Sequence, residues 1–453
     1  MDRNVDLTEG NIFIALTKLA LPIIGTAFIQ MAYNLTDIAW LGRLSTDAVA
    51  AAGTAGFFMW FGSGLAMISQ VGVAVGVSQS YGKDDLKGAM DYVSNGIRLD
   101  IIIAIVYSLF LLIFRHNMVG FFKLGDKTVY KMTVEYLIVI SIGMIFHFIN
   151  PVLSAVLNSS GNSITPFKIN TIGLVFNMIL DPLLIFGIGP VKGFGIKGAA
   201  AATVLSQLIV SIIFIAWGKS NNALYSNINL FKKLDRHITE KIVKLGFPAF
   251  LQISAHSGIN MVLTRLIAQF GSVPLAVQSV GSKIESISWM TADGFQAAIA
   301  AFVGQNLGAK KDDRIREGYR KGMGLVGGIG ILATLLLILG GRSLFSIFVP
   351  DDPMAIEEGV RYLTILGFSQ IFSTVEIGTA GAFNGLGRTL PPAITGVIFN
   401  VLRIPLAILL ANYTSLALSG IWWSISISTI AKGIVLPLLF IRLMKKGFHM
   451  ETV

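Results

Sequence analysis

The chain contains no cysteine. A disulfide framework, a thiol nucleophile and a Cys-ligated metal are therefore excluded, and the absence fixes no redox compartment. Charge is scarce as well: 13% of residues are Asp, Glu, Lys or Arg, where soluble domains carry about 25%. Too few polar residues are present to cover several soluble domains, although 453 residues would be long enough for them. No GxxxxGK[ST] phosphate loop occurs, and no connection is long enough for a nucleotide-binding domain, so no nucleotide partner or direct ATP drive is expected. Neither HExxH nor GxSxG occurs, and there is no dense His/Asp cluster; the reading is of a chain that is not an enzyme and needs no cofactor.

What the chain has instead is apolar sequence, 54% of it. Apolar runs recur twelve times, near 12–40, 48–80, 88–115, 130–156, 163–188, 197–218, 240–268, 275–306, 316–340, 356–383, 391–411 and 417–444. Each can cross about 30 Å of hydrocarbon. Backbone groups in lipid must satisfy one another within the segment, so runs of this length are helices and not barrel strands. The net charge of +10 comes from basic residues in the short loops, not from a nucleic-acid surface. Lys83, Lys87, Lys232, Lys233, Lys310, Lys311, Arg314, Lys445 and Lys446 fall on the side of the N-terminus, and few basic residues fall opposite. The positive-inside rule then puts both termini in the cytoplasm of a multi-pass protein of the plasma (inner) membrane. The first run lacks a basic n-region and cleavage site, so it reads as a retained helix.

The chain is also written twice. Shifted by 226 residues, Lys18-Leu19-Ala20-Leu21-Pro22 falls on Lys244-Leu245-Gly246-Phe247-Pro248, Gln79 and Gly82 on Gln305 and Gly308, and Gly161 and Pro166 on Gly387 and Pro392. The expected domains are 1–225 and 226–453, each a bundle of six helices. Duplicated membrane bundles of this kind are a transporter architecture. Gly161-Asn162-Ser163 and Gly387-Arg388-Thr389 read as equivalent turns on the cytoplasmic side.

Ionisable residues inside the runs are costly in hydrocarbon and each needs a reason. Asp37 lies in the first run, with Asn34 and Tyr33 three and four residues before it. Asp181 lies in the fifth, with Asn177 four residues before it. The shift of 226 carries Asp37 onto Leu263 and Asp181 onto Ala407, so the acids belong to one half only, as a cation site would and a shared scaffold would not. Two desolvated carboxylates with neighbouring amides can share protons or coordinate Na⁺; the residues alone do not separate the two. The second half carries its own set: His256, Glu285, Asp293, Glu376, Arg403 and Lys432. Of these His256, Glu285 and Glu376 are candidates for a substrate or second cation site. The alternative is internal pairing, Glu285 with Lys283 and Glu376 with Arg403. Pro22 removes one helical hydrogen bond before Asp37 and is a candidate hinge of the first helix.

With these residues in hand the chain resembles the multidrug and toxic compound extrusion (MATE) family. The resemblance covers about 10–445 and rests on Leu21-Pro22, on Thr36-Asp37-Ile38-Ala39-Trp40-Leu41-Gly42, on Val77 to Gly82 with its partner Val303 to Ala309, on Asn177 to Pro182, and on Gly385 to Thr389. It implies an all-α integral membrane fold of twelve transmembrane helices in two six-helix lobes related by a pseudo-twofold. It implies alternating-access export of organic cations and other lipophilic compounds in exchange for H⁺ or Na⁺. Asp37, Asn177 and Asp181 match the family's N-lobe cation site, and would ligate the metal were the ion Na⁺. The chain departs from the family at His256, where Na⁺-coupled members of one branch carry an acid, and at Ser373, close to where they carry another; here Glu376 follows about a turn later. A lipid-linked oligosaccharide flippase of the same superfamily is the alternative. Its usual fourteen helices and basic cavity fit less well than twelve runs and acidic cavity candidates.

Overall fold

The structure, a computed structural model, describes residues 5–188, 191–221, 224–226, 228–230, 232–350 and 352–448. The helices of the first half are α1 (Ile12–Leu44), α2 (Thr46–Gly82), α3 (Leu86–Phe121), α4 (Lys127–Ser159), α5 (Ile164–Phe186) and α6 (Ile196–Ser220). Those of the second half are α7 (Arg236–Ala268), α8 (Ser272–Gly308), α9 (Asp312–Phe348), α10 (Pro353–Gly367), α11 (Gln370–Gly385), α12 (Leu390–Tyr413) and α13 (Leu418–Lys446). Two residue pairs, β1 (Gly187–Ile188) and β2 (Val191–Lys192), form a small antiparallel hairpin between α5 and α6. Nine helices among the described residues are long and apolar enough to span a membrane.

The structure corrects the expected run 356–383, which is not one helix. It divides into α10 and α11 at Phe368-Ser369, where Ser369 turns its hydroxyl onto the Leu366 carbonyl at 2.8 Å. Its counterpart in the first half, α4, is continuous.

Helix starts follow the local chemistry. Ser45, Asp85, Asp126 and Asp352 cap α2, α3, α4 and α10, each accepting from a backbone N–H of the first turn that has no helical partner. The Thr128 backbone N–H, with its hydroxyl, holds the exposed Asp126 carboxyl below the usual carboxylate range.

The duplication reappears as backbone geometry. The Asn162 N–H donates to the Leu157 carbonyl at 2.9 Å, and the Arg388 N–H to Phe383 at 3.0 Å, around Gly161 (φ 93°) and Gly387 (φ 73°). These are glycine-closed helix ends, where a side chain would be strained. Asp84 and Lys310 take the same left-handed conformation (φ 56° and 57°) after α2 and α8. Serine and threonine repeat as well: Ser108 Oγ donates to the Ser141 carbonyl, and Thr334 Oγ1 to that of Gly367.

The chain divides into two compact units: 1–6 with 21–247, and 7–20 with 248–453. The division falls beside a proline in each long helix, between Ala20 and Leu21 of α1 and between Phe247 and Pro248 of α7. In the first unit α4 packs against α2, α3 and α6; in the second α11 packs against α8, α9 and α13. Large apolar side chains on the outer faces, such as Leu339 at 80% and Ile347 at 73% exposure, have no protein to cover them. Lipid is the solvent that accepts such faces.

Candidate cation site and its counterpart in the second half

In the first unit α1, α5 and α6 bring one polar cluster together. Asn177 and Asp181 stand one turn apart on α5, both fully buried, and Asn177 Nδ2 donates to Asp181 Oδ1 at 3.3 Å. Asp37 of α1 enters from the side, half-buried, and its Oδ2 accepts from Thr203 Oγ1 of α6 at 3.4 Å. The Asp37 side chain lies beside both Asp181 and Asn177. Tyr33, one turn before Asp37, donates its hydroxyl to the Thr203 carbonyl at 3.3 Å and lies beside Ser206. Tyr136 of α4, 5% exposed, closes the cluster.

Three oxygens in this cluster are buried and have no hydrogen-bond donor: Asp37 Oδ1, Asn177 Oδ1 and Asp181 Oδ2. Two ionised carboxylates facing each other away from water repel, and a bond between them requires a proton on one. A proton, or a small cation held by oxygens, supplies what the three acceptors lack. The cluster thus has an acceptor surplus of the kind a cation removes.

Asp37, Asn177 and Asp181 lie together in the structure, and Tyr33 joins them. Asn34 does not; it is exposed. Pro22 lies within α1 next to the unit division, and the Thr26 hydroxyl bonds its carbonyl at 3.0 Å. Thr203, Ser206 and Tyr136 were not legible as site residues. The repeat held a signal for two of them, because Tyr136 and Thr203 recur as Tyr362 and Thr429 at the same shift.

The second unit builds a polar cluster at the equivalent place with the opposite charge logic. Arg403 stands where Asn177 does, Lys432 where Ser206 does, and Glu376 where Asn150 does. Arg403 Nε donates to Ser428 Oγ at 2.6 Å and its Nη2 to Thr429 Oγ1 at 3.1 Å. Lys432 Nζ meets Glu376 Oε2 at 3.5 Å, with both side chains under a tenth exposed. Gln370 Nε2 donates to Glu285 Oε1 at 2.9 Å, and Tyr362 lies against the same carboxylate. These contacts correct the expected pairings. Lys283 is exposed and not the partner of Glu285, and the contact partner of Glu376 is Lys432, with Arg403 acting on Glu376 and Glu285 at longer range. His256 lies between the side-chain amides of Asn260 (2.9 Å) and Asn400 (3.4 Å). His256 and Asp293 are both exposed. Among the described residues no group of three or more His, Cys, Asp and Glu could hold a metal ion.

Two segments, 22–183 and 248–409, each match the MatE family model, and the second begins and ends 226 residues after the first. The chain belongs to the MatE family. It is therefore a multi-pass membrane transporter and not an enzyme. Among its relatives is the protein of Thermotoga maritima named "Probable multidrug resistance protein NorM", 26% identical over 410 residues, which span 90% of this chain and 87% of that one. A protein of the same name from Deinococcus radiodurans is 24% identical over 93% of each chain. Two solved structures share the fold across its length. One is described as the outward-facing conformation of a multidrug resistance MATE family transporter of the MOP superfamily (TM-score 0.90, 21% identity, 100% of both chains). The other is a MOP superfamily transporter from Pyrococcus furiosus whose reported binding pocket has reverse polarity (TM-score 0.89, 22% identity, 99% of this chain and 100% of that one).

Proposed function

We propose that this chain is a multidrug efflux antiporter of the plasma membrane, with both termini cytoplasmic. It exports organic cations or other lipophilic small molecules by alternating access, in exchange for a monovalent cation, H⁺ or Na⁺. The half 1–225 carries the cation site and the half 226–453 contributes to the path of the substrate. The observation that carries the reading is the trio of donorless buried oxygens on Asp37, Asn177 and Asp181. The relatives named for multidrug resistance support the substrate class.

In this mechanism the cation enters the acidic cluster and cancels the repulsion between Asp37 and Asp181. With its charge neutralised, Asp37 no longer needs the position on α1 that an ionised group demands, and the segment beyond Pro22 is free to shift. Substrate affinity falls as the cation binds, and substrate leaves outward. The cation drives export only to the extent that it binds the two states with different affinity. In the second unit Lys432 and Arg403 already supply positive charge beside Glu376 and Glu285. That cluster has no deficit for an external cation to fill, so coupling rests with the first.

The test uses purified protein in liposomes loaded with ethidium, under a pH gradient alone and then a Na⁺ gradient alone. Efflux under one gradient, lost in Asp37→Asn, supports the reading and identifies the ion. Efflux under either gradient that survives both Asp37→Asn and Asp181→Asn overturns it.

A further inference from the structure

Outside the cation site, the first unit buries a second acid that no pairing explains. Asp100 of α3 is 0% exposed, and neither of its carboxyl oxygens has a hydrogen-bond partner. Ser69 of α2 lies beside it, also 0% exposed, and its hydroxyl is likewise without a partner. An ionised carboxylate enclosed in this way lacks both water and a counter-charge and is strongly disfavoured. The neutral acid is the form the enclosure accepts.

The surroundings say what the enclosure is. One turn before Asp100, Gly96 lets α3 close on Val73 of α2 and on Ile242 of α7, the latter 3.7 Å from a Cβ placed there. Gly72 makes the same close approach to Ile242, and Gly246 meets the carbonyl of Ile68, the residue before Ser69. Asp100 and Ser69 thus lie at the joint where the first part of α7 docks on α2 and α3. That docked part ends at Phe247, where the first unit ends.

The repeat supplies the control. In the second unit Gly322 meets Ile299 and Leu16, the latter also at 3.7 Å, and these three are the residues 226 positions from Gly96, Val73 and Ile242. At that joint the places of Asp100 and Ser69 are taken by Val326 and Phe295, both buried. Apolar side chains fill the same joint, so packing does not call for an acid. We propose that Asp100, with Ser69 beside it, is a second proton-binding site of this chain, whose occupancy holds the first part of α7 docked. Three oxygens are too few for a hard metal cation, which gathers about six or more. A proton needs only one.

The other titratable groups around the joint leave Asp100 without a counter-ion. Arg98, two residues away on α3, turns its Nε to the Asn229 carbonyl at 2.8 Å. On α4, His147 bonds the Ser63 hydroxyl at 2.8 Å. On α7, Glu240 pairs with Arg236, His237 is exposed, and Lys241 and Lys244 are exposed. None of them is in electrostatic contact with Asp100. Raising the pH withdraws the proton, the ionised group demands water, and α7 lifts. The site acts whatever ion the Asp37 cluster takes.

The test exploits the absence of cysteine, since a single Ile242→Cys gives the only thiol in the chain. Its maleimide labelling rate in nanodiscs is measured against pH, with Asp100 present and with Asp100→Asn. The rate is divided at each pH by that of a free thiol, which cancels the ionisation of the cysteine itself; the expected ratio climbs with pH, by up to about tenfold per unit, when Asp100 is present and stays flat in Asp100→Asn. Infrared spectra on an Asp37→Asn/Asp181→Asn background provide a second readout that needs no opening of α7. They should show a protonated carboxyl band at neutral pH that Asp100→Asn removes. Identical labelling profiles with and without Asp100, or a carboxyl band untouched by Asp100→Asn, overturn the proposal.

Discussion

Asn177 and Arg403 hold the same place in the two halves of this chain, and there an amide with a donorless oxygen is exchanged for a guanidinium that donates to Ser428 and Thr429. One duplicated scaffold thus carries two electrostatic solutions. The first half leaves acceptors open for a mobile cation. The second attaches cations covalently, as Arg403 and Lys432. Asp181 has no acidic counterpart: buried Ala407 stands one turn after Arg403.

The cation site should behave as a unit. Asp37→Asn and Asp181→Asn should each lower gradient-driven efflux by about tenfold or more. The double variant should fall little further, because groups that share one ion are not additive. Efflux rates of the three variants in the same liposomes check this; losses that multiply would mean independent roles.

Copying the second half into the first should fill the site. Asn177→Arg places a guanidinium beside Asp37 and Asp181, and the protein should remain folded while its response to the external cation disappears. The readout is the shift in melting temperature with added Na⁺, or with H⁺ the part of that shift lost in Asp37→Asn/Asp181→Asn; it should be present in the unaltered protein and absent in the variant.

The buried Lys432–Glu376 pair should be costly to halve. Lys432→Met alone leaves Glu376 without its partner and should destabilise by about 3 to 5 kcal/mol. Adding Glu376→Gln should recover part of that loss. A double-mutant cycle by denaturant unfolding in detergent measures it, and additive losses would count against the pairing.

The α7 joint should be intolerant of a methyl group at its glycine, while a glycine of α2 outside the joint should accept one. A Cβ on Gly246 meets the Ile68 carbonyl, so Gly246→Ala should cost about 1 to 3 kcal/mol by overpacking. Gly56 has nothing within 4 Å of its Cβ position, and Gly56→Ala should be neutral to slightly stabilising. Thermal unfolding of the two variants provides the comparison.

Much of the fold was legible because lipid leaves the backbone few options: a long apolar run must be a helix, and the runs match the helices within a few residues at most ends. The break at Phe368-Ser369 was not legible. No proline or glycine pair marks it, and it depends on how α10 and α11 pack. In the site, Asp37 and Asp181 stood out because acids are rare in such runs. Asp100 is as rare, but Arg98 beside it and the polar start of its run make it look like part of a solvated helix end. The partner of Glu376 could not be read because Lys432 and Arg403 lie on different helices, and sequence spacing says nothing about which one reaches it. Thr203 and Ser206 look like ordinary small residues of a membrane helix, and only contact with Asp37 and Tyr33 distinguishes them.

The most direct test of the account is a count of ions released when substrate binds. Linkage requires that a substrate which competes with the coupling cation displaces it, and that the cation weakens the substrate to the same degree. Ethidium added to purified protein in weakly buffered detergent, once with a pH indicator and once with a Na⁺-sensitive electrode, should release H⁺ or Na⁺ from the unaltered protein. It should release none from the Asp37→Asn/Asp181→Asn variant, which should still bind ethidium. Equal release from both proteins would contradict the assignment of the coupling cation to Asp37, Asn177 and Asp181.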